Sequence, residues 1–375
     1  MKTRTHLLAS LTLIVLLAIA LSASAQRLEI NIPDIPGYTT LKCDFHMHTV
    51  FSDGSVWPTV RVDEAWRDGL DVIAISDHVE YQPHKGDIPT NHKRPYEIAL
   101  GKARECGILL VRAAEITRDT PPGHYNALFL TDIDALDTAG KSSLTGDAAK
   151  EEEFLMQLRA AKAQNAFVFW NHPDWKARNG QRVWFDIHTK IFDEGLVNGI
   201  EAVNGRTFHV DSLKWANERN LTLFGNSDIH APMNPRTLDD DAVHRPVTLV
   251  FAYEKTLESV RKAIDAGRTA IWFENKLIGR SEYLEAILQA SLKVAPPHMT
   301  YRNTAYVSVQ NISDITYELV KTSGTGPATA TLPARATTIV RIGVNNEGKA
   351  TLGYKVTNLI TGPDACLTIE DVSPW

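Results

Sequence analysis

The 375-residue chain has only three cysteines, Cys43, Cys106 and Cys366. They are far apart and odd in number, and none belongs to a C-x-x-C pair, which excludes a disulfide framework. An excess of positive charge is also missing, because the chain has 39 Lys and Arg against 45 Asp and Glu, which gives a formal net charge of −6. Proteins that bind nucleic-acid backbones usually present a basic face, so a nucleic-acid partner is not expected. Stability must come from a packed core, in which we place Cys43.

The N-terminus is typical of a secretory signal peptide over residues 1–25. Lys2 and Arg4 precede the apolar run LLASLTLIVLLAIALS, and Ala23–Ala25 fits the A-x-A cleavage pattern. Cleavage would start the mature chain at Gln26, move the net charge to −8, and leave an exported protein, periplasmic or extracellular, without a stable membrane anchor. The apolar run is long enough that an uncleaved anchor is the alternative. No cysteine follows the small residues, which argues against a lipoprotein.

Two compositional regions follow. From residue 38 to residue 294, short apolar strands alternate with amphipathic helices, which predicts roughly seven β/α units in a closed or nearly closed barrel. After the linker APP, Thr- and Val-rich segments separated by glycines predict a small all-β, sandwich-like domain over 298–375. That domain would pack on the barrel or mediate association. Asn311-Ile312-Ser313 matches a glycosylation sequon, a short motif that often occurs by chance.

Polar residues collect where the predicted strands end, and the carboxyl ends of barrel strands are where active sites lie. In DFHMHTVFSDG, His46 and His48 alternate and so share one strand face, and in LFGNSDIH the same spacing predicts one strand face for Asp228 and His230. The set of such residues comprises His46, His48, Asp53, His78, Glu115, His124, His172, Asp228 and His230. Nine groups exceed the four ligands of one zinc and suit two or three ions, with zinc, manganese or iron favoured by imidazole and carboxylate. The other histidines are read as structural or surface residues: His6, His84, His92, His188, His209, His244 and His298.

The motifs DFHMHTVFSDG, ISDH, AAEIT, NHP and NSDIH resemble, in order and context, those of the PHP (polymerase and histidinol phosphatase) family over roughly residues 40–290. The resemblance implies a distorted (β/α)7 barrel with a trinuclear metal centre and phosphoesterase chemistry. It also implies a ligand set for each ion. His46, His48, Glu115 and Asp228 would hold the first ion, Glu115 with His124 and His172 the second, and Asp53, His78 and His230 the third. Some family members have histidine where Asp53 stands.

By the same resemblance, clustered divalent ions would neutralise a phosphate monoester and lower the pKa of the attacking water. Glu115 and Asp53 are assigned catalytic roles together with two arginines, Arg178 and Arg206, whose planar forks suit phosphate oxygens. A solvated surface role is as compatible with each arginine taken alone. The long loop EYQPHKGDIPTNHKRP, with His84, Lys85, His92, Lys93 and Arg94, is either a lid or a charged solvated loop.

We therefore expect an exported, metal-dependent phosphoesterase acting on a small phosphorylated substrate, such as histidinol phosphate, a nucleotide or a sugar phosphate. Export favours scavenging over biosynthesis. One alternative is another metal hydrolase of similar barrel, acting on an amide, lactone or phosphodiester. The other is a non-catalytic surface-binding protein that uses its β domain, which the complete ligand set argues against.

Overall fold

The computed structural model describes residues 26–175, 183–233 and 244–372. The predicted signal peptide and Arg178 lie outside these ranges. Within them, no helix is long and apolar enough to cross a membrane.

The N-terminal region builds the barrel from strands and helices that alternate in sequence. Its strands are β1 (Thr39–Asp44), β2 (Val72–Ile75), β3 (Leu109–Ile116), β4 (Tyr125–Leu128), β5 (Phe167–Trp170), β6 (Gly199–Asn204), β7 (Thr207–Phe208), β8 (Thr222–Asn226), β9 (Val247–Ala252), β10 (Thr269–Phe273) and β11 (Lys276–Gly279). Its helices are α1 (Pro58–Arg67), α2 (Arg94–Cys106), α3 (Asp134–Asp137), α4 (Gly146–Ala163), α5 (Asp186–Asp193), α6 (Val210–Arg219), α7 (Leu257–Asp265) and α8 (Ser281–Ser291).

Local sequence explains where these elements start and stop. Helix α1 begins with Pro58, whose fixed φ and missing N–H suit the first helical position. Helix α2 ends at Cys106 and is followed by Gly107, whose φ of +66° gives the left-handed cap that glycine favours. Strand β2, with the sequence VIAI, is buried at every position, as expected of a strand covered on both faces.

The barrel is a mixed α/β barrel, and its strands are not all parallel. Strands β1, β2 and β3 pair in parallel, as do β5, β6 and β8. Strand β4 runs antiparallel to both β3 and β5, and β9 runs antiparallel to β1. Between β8 and β9, the Thr248 hydroxyl bonds to the N–H and C=O of Gly225 at 2.9 and 2.8 Å. The predicted run of parallel β/α units is therefore interrupted where a short connection joins β3 to β4, since only antiparallel neighbours can be joined by a hairpin.

The C-terminal region is all β. Its strands are β12 (Leu292–Val294), β13 (Met299–Tyr301), β14 (Thr304–Asn311), β15 (Tyr317–Gly324), β16 (Thr329–Leu332), β17 (Thr337–Gly343), β18 (Leu352–Gly362) and β19 (Ala365–Val372). Strand β12 follows α8 directly and pairs with β14, so this sheet starts before the predicted APP linker. Strand β18 pairs in parallel with β11 of the barrel region, and one apolar core runs from α8 into the β domain. The two regions are packed together as neighbours in one sheet.

The sequon asparagine is a structural residue. Asn311 is 1% exposed, and its amide donates to the carbonyls of Ile315, Leu332 and Pro333. An amide already committed to three internal bonds is closed to glycosylation in the folded chain. Cys43 is fully buried, as the sequence indicated.

Candidate metal centre

The structure brings all nine predicted side chains to one end of the barrel. Strand β1 ends at Asp44, so His46 and His48 lie just beyond it in an extended segment that bridges to Ile229 through Met47. Their rings still converge, with Nε2 atoms 3.1 Å apart. The prediction that alternate histidines would face one point therefore holds although the strand itself is shorter than predicted.

One correction concerns Asp228 and His230. The sequence placed both on one strand face, but β8 ends at Asn226 and Asp228 has a φ of +50°. This left-handed residue breaks the alternation, and the two side chains meet different partners. His172 also has positive φ, at 22°. Backbone held in sparsely populated conformations is concentrated at functional sites.

The two histidines His46 and His48 face two carboxylates, Glu115 and Asp228. Glu115 Oε2 lies 3.4 Å from His46 Nε2 and 3.3 Å from His48 Nε2. Asp228 Oδ1 lies 3.1 and 3.0 Å from the same two nitrogens. Ligands about 2.1 Å from a tetrahedral ion are separated by about 3.4 Å. The side chains are thus spaced nearly as a bound ion requires.

The tautomer of His46 makes this spacing informative. Its Nδ1 lies 2.9 Å from Glu201 Oε1, which assigns the proton to Nδ1 and leaves a lone pair on Nε2. That lone pair faces Asp228 Oδ1, which has no hydrogen-bond partner within the described ranges. Two electron-rich atoms about 3 Å apart repel unless a cation or a proton lies between them. The donor set therefore fits a metal ion.

A second group contains His48, Asp53, His78 and His230. Asp53 Oδ1 lies 3.5 Å from His78 Nε2 and 3.2 Å from His230 Nε2. The His230 side chain is 39% exposed and that of Asp53 is 23% exposed. This group is therefore the solvent-facing side of the centre.

The Ser-Asp-Gly turn that carries Asp53 is held in place by the buried side chain of Asp77. Buried Asp77 accepts hydrogen bonds from the Thr49 N–H and hydroxyl and from the Ser52 hydroxyl, at 2.6 to 2.7 Å. A Cβ on Gly54 would lie 2.5 Å from the His48 carbonyl carbon. Only glycine allows the turn to fold back on the His48 backbone, which explains the motif spacing.

The remaining oxygen of Glu115 faces the last two histidines. Glu115 Oε1 lies 2.9 Å from His124 Nδ1 and 3.6 Å from His172 Nε2. The structure groups His124 with His78 and Glu115, and His172 with His46 and Asp228. Buried His124 Nε2 and His172 Nδ1 have no hydrogen-bond partner among the described residues. Glu115 thus lies between His46 and His48 on one side and His124 and His172 on the other.

Charge within the pocket follows from this packing. Burial opposes a charge on His46, but the facing carboxylates outweigh it and raise the pKa of His46 well above its usual value. Burial likewise opposes a charge on His78, but Glu115 and Asp53 raise its pKa to about 10. Burial and the neighbouring His78 lower the pKa of His48 to about 4. Carboxylates that draw protons onto nearby rings also attract divalent cations, which bind the deprotonated rings.

Sequence reasoning missed Glu201, a fully buried carboxylate in β6. Its two oxygens face four donors: Oε1 faces His46 Nδ1 and the Asn226 amide, and Oε2 faces the His172 N–H and the Asn204 amide. It therefore orients His46 and the His172 backbone together. The signal was present, because an acid inside the apolar strand sequence GIEAVN requires a partner.

Arg206 and the long loop lie further out than the ligand candidates. Arg206 is exposed on the turn between β6 and β7, and within the described ranges its guanidinium has no hydrogen-bond or ion-pair partner. Two residues earlier, the Asn204 amide donates to Asp228 Oδ2 at 3.2 Å, which places this turn beside the centre. In the loop, Lys93 pairs with the carboxylates of Asp132 and Asp134.

Three of the other histidines have structural surroundings. His188 is buried between the backbones of Phe185 and Pro122, and His244 stacks on Trp272 at 3.7 Å. His209 lies 3.2 Å from Asp174. None of them joins a metal-ligand group among the described residues.

Comparison with known proteins adds two findings. A family model described as an Ig-like domain matches residues 292–370. The crystal structure of a two-domain protein from Bacteroides vulgatus, containing a predicted PHP-like metal-dependent phosphoesterase, is 39% identical, with a TM-score of 0.84 over 94% of this chain and 100% of that one. No curated protein matches the chain.

Two further structures are more distant. A protein from Bifidobacterium adolescentis assigned as a metal-dependent phosphoesterase is 18% identical, with a TM-score of 0.38 over 60% of this chain and 96% of its own. The histidinol phosphate phosphatase of Lactococcus lactis, complexed with zinc, L-histidinol and phosphate, is 17% identical, with a TM-score of 0.33 over 59% of this chain and 93% of its own. Likeness at this level does not bear on the chemistry of the site.

Proposed function

This chain belongs to the PHP-like metal-dependent phosphoesterases and carries an Ig-like domain at its C-terminal end, and we propose that it hydrolyses small phosphate monoesters. The observation that carries the proposal is the group of donors in which His46 Nε2 and His48 Nε2 lie 3.1 and 3.0 Å from Asp228 Oδ1. A divalent cation among these atoms would replace the proton that the carboxylates otherwise draw onto His46. Six imidazoles and three carboxylates suit zinc, manganese or iron, and the ions would number two or three.

Each protein group then has a role. Glu115 has one oxygen toward His46 and His48 and the other toward His124, so its carboxylate would be a ligand of neighbouring ions. When bound, such ions neutralise the phosphate dianion and provide a nucleophile near neutral pH. Asp53, on the exposed side, would hold the ion nearest to solvent.

Arg206 would bind the phosphate oxygens that the ions leave free. Its guanidinium is exposed on a turn whose Asn204 contacts the centre, so it can swing to an incoming substrate. Charge-assisted bonds of this kind strengthen as charge develops in the transition state. Arg178 is proposed for the same role from the sequence alone.

The test is a panel of phosphate monoesters with added manganese, zinc or iron, run beside amides, lactones and phosphodiesters. We expect turnover of phosphate monoesters that a chelator abolishes. His46→Ala should lose both activity and bound metal, whereas His298→Ala, far along the chain in the β domain, should keep both. Turnover of an amide or lactone with inert monoesters would favour the alternative hydrolase, and no turnover at all would favour a binding protein.

We also propose that the protein is exported and cleaved before Gln26. The support is the A-x-A pattern at Ala23–Ala25 after an apolar run. Mass spectrometry of native protein should give Gln26 as the first residue, in an envelope or extracellular fraction. Soluble cytoplasmic protein that retains Met1 would refute this.

A further inference from the structure

Helix α1 contains a buried ion pair that touches two of the chain segments carrying metal-ligand candidates. Arg61 is fully buried and Glu64 is 5% exposed, and their side chains meet at 2.7 Å. We propose that this pair is a positioning device that locks the His48 segment against the Asp228–Met233 segment and so sets the metal affinity of the centre. The inference rests on the proposed metal centre.

Arg61 uses every N–H donor it has. Its Nε donates to the His48 carbonyl at 2.8 Å. Nη2 donates to the carbonyls of Ile229 and His230 at 3.0 and 2.8 Å, and Nη1 donates to Ala231 and to Glu64. A guanidinium has five N–H groups in one plane, and here all five are matched.

The carbonyls that Arg61 holds belong to ligand residues or their direct neighbours. Its Nε fixes the backbone of His48, whose ring faces both donor groups. Its Nη atoms fix the stretch that follows Asp228 and includes His230. The rings of His48 and His230 stack with centroids 4.2 Å apart, so a shift between the two backbones would separate two donor nitrogens directly.

Glu64 extends this contact to Met233, two residues beyond Ala231. Its Oε1 accepts the Met233 N–H at 2.7 Å while Oε2 binds Arg61. The helix therefore holds the second segment at several successive backbone groups. Neither side chain is itself in a ligand group of the described residues.

Only arginine fits this position. Four carbonyls converge where the strands have ended. Loss of the guanidinium would remove the donor that the His48 and Ala231 carbonyls use, whereas the Ile229 and His230 carbonyls would keep the N–H groups of His48 and Ser55. Lysine carries a similar charge but offers three donors without a planar fork. A purely structural ion pair would lower stability when altered, whereas a positioning pair would also lower metal affinity in protein that remains folded.

The experiment measures metal affinity in folded variants of the full mature chain. Arg61→Lys is compared with Val62→Ala, a fully buried core position on the same helix. Zinc and manganese are titrated against a competing chelator, bound ions are counted by elemental analysis, and folding is checked by thermal unfolding. We expect Arg61→Lys to weaken the binding of at least one ion by about tenfold or more, as losses around metal ligands typically do. Val62→Ala should lower the unfolding temperature and bind metal as the wild type does.

Wild-type affinity in folded Arg61→Lys would overturn the inference, and so would equal weakening in Val62→Ala. If Arg61→Lys does not fold, Glu64→Gln takes its place, because it keeps the side-chain shape and removes the charge that faces Arg61. It should weaken metal binding in the same direction, and unchanged binding would overturn the inference. A wild-type protein that binds no ion would instead refute the proposed function.

Discussion

Replacing Glu201 with glutamine changes one oxygen to an amide and tests how the centre is oriented. The carboxylate accepts from four donors, two at each oxygen: at 2.9 and 2.8 Å from His46 and Asn226, and at 2.9 and 3.0 Å from the His172 N–H and Asn204. A glutamine NH2 group must face one of these donor pairs. If the NH2 group faces the His172 N–H and Asn204, these two donors lose their acceptor. If it faces His46, it donates to Nδ1, and the ring must then carry its own proton on Nε2, where an ion should bind.

Both outcomes weaken metal binding. Removing a group that orients a metal-ligating histidine typically costs 10- to 100-fold in affinity or activity, which is about 1.4 to 2.7 kcal/mol. The assay is chelator competition with zinc or manganese, together with an elemental count of retained ions. Asp314→Asn is the matched control, because its carboxyl is also largely buried, in the β domain, where it accepts the Asn31 N–H at 2.9 Å.

We expect the control to lose stability and keep metal affinity, and Glu201→Gln to lose affinity within the stated range. Wild-type affinity in folded Glu201→Gln would refute the reasoning from the His46 tautomer. An equal loss in both variants would show that the effect is general destabilisation.

Three further predictions concern other parts of the chain. Arg206→Ala should lower kcat/KM on the best monoester by roughly two to three decades at unchanged metal content, and Arg206→Lys should recover part of that loss. A near-wild-type kcat/KM for Arg206→Ala would show that Arg206 does not bind the phosphate. Burial lowers the pKa of His188 from 6.5 to about 4, so the ring stays neutral while the unfolded chain takes up the proton. The free energy of unfolding should thus be highest above pH 6.5 and fall by up to about 3 kcal/mol toward pH 4. Measured by urea unfolding, this free energy should depend less on pH in His188→Gln than in the wild type or in His298→Gln, and the same pH dependence in all three would contradict the prediction. Gly54→Ala would put a Cβ 2.5 Å from the His48 carbonyl carbon and should lower the free energy of unfolding by at least about 1–3 kcal/mol. Gly101→Ala, with open space around it, should raise it by about 0.5–1 kcal/mol, and equal unfolding temperatures for the two variants would count against the close approach at Gly54.

Most ligand candidates could be predicted from sequence because they lie at or near strand ends. His78 and His172 follow short apolar strands and Glu115 lies near the end of β3, and a barrel brings such ends together whatever the loop lengths. The fold class and the family were predicted correctly for the same reason, since alternating elements and spaced motifs are local features of the chain.

Features that depend on neighbours across the fold were not predictable. Glu201 acts through His46, which is 155 positions away, and Arg61 acts through carbonyls about 170 positions away. The antiparallel course of β4 and the left-handed backbone at Asp228 result from packing and have no periodic signal. The pairing of β11 with β18 could not be predicted, because nothing in the two strand sequences identifies a partner.

The most direct test of the account is hydrolysis of a phosphate monoester by one preparation of the mature protein, measured before chelation, after it, and after ions are restored, with bound metal counted each time. The account predicts two or three transition-metal ions per chain at full activity, loss of turnover as they are removed, and recovery when they return. Folded protein that binds no more than one ion and still hydrolyses the ester after chelation would contradict it.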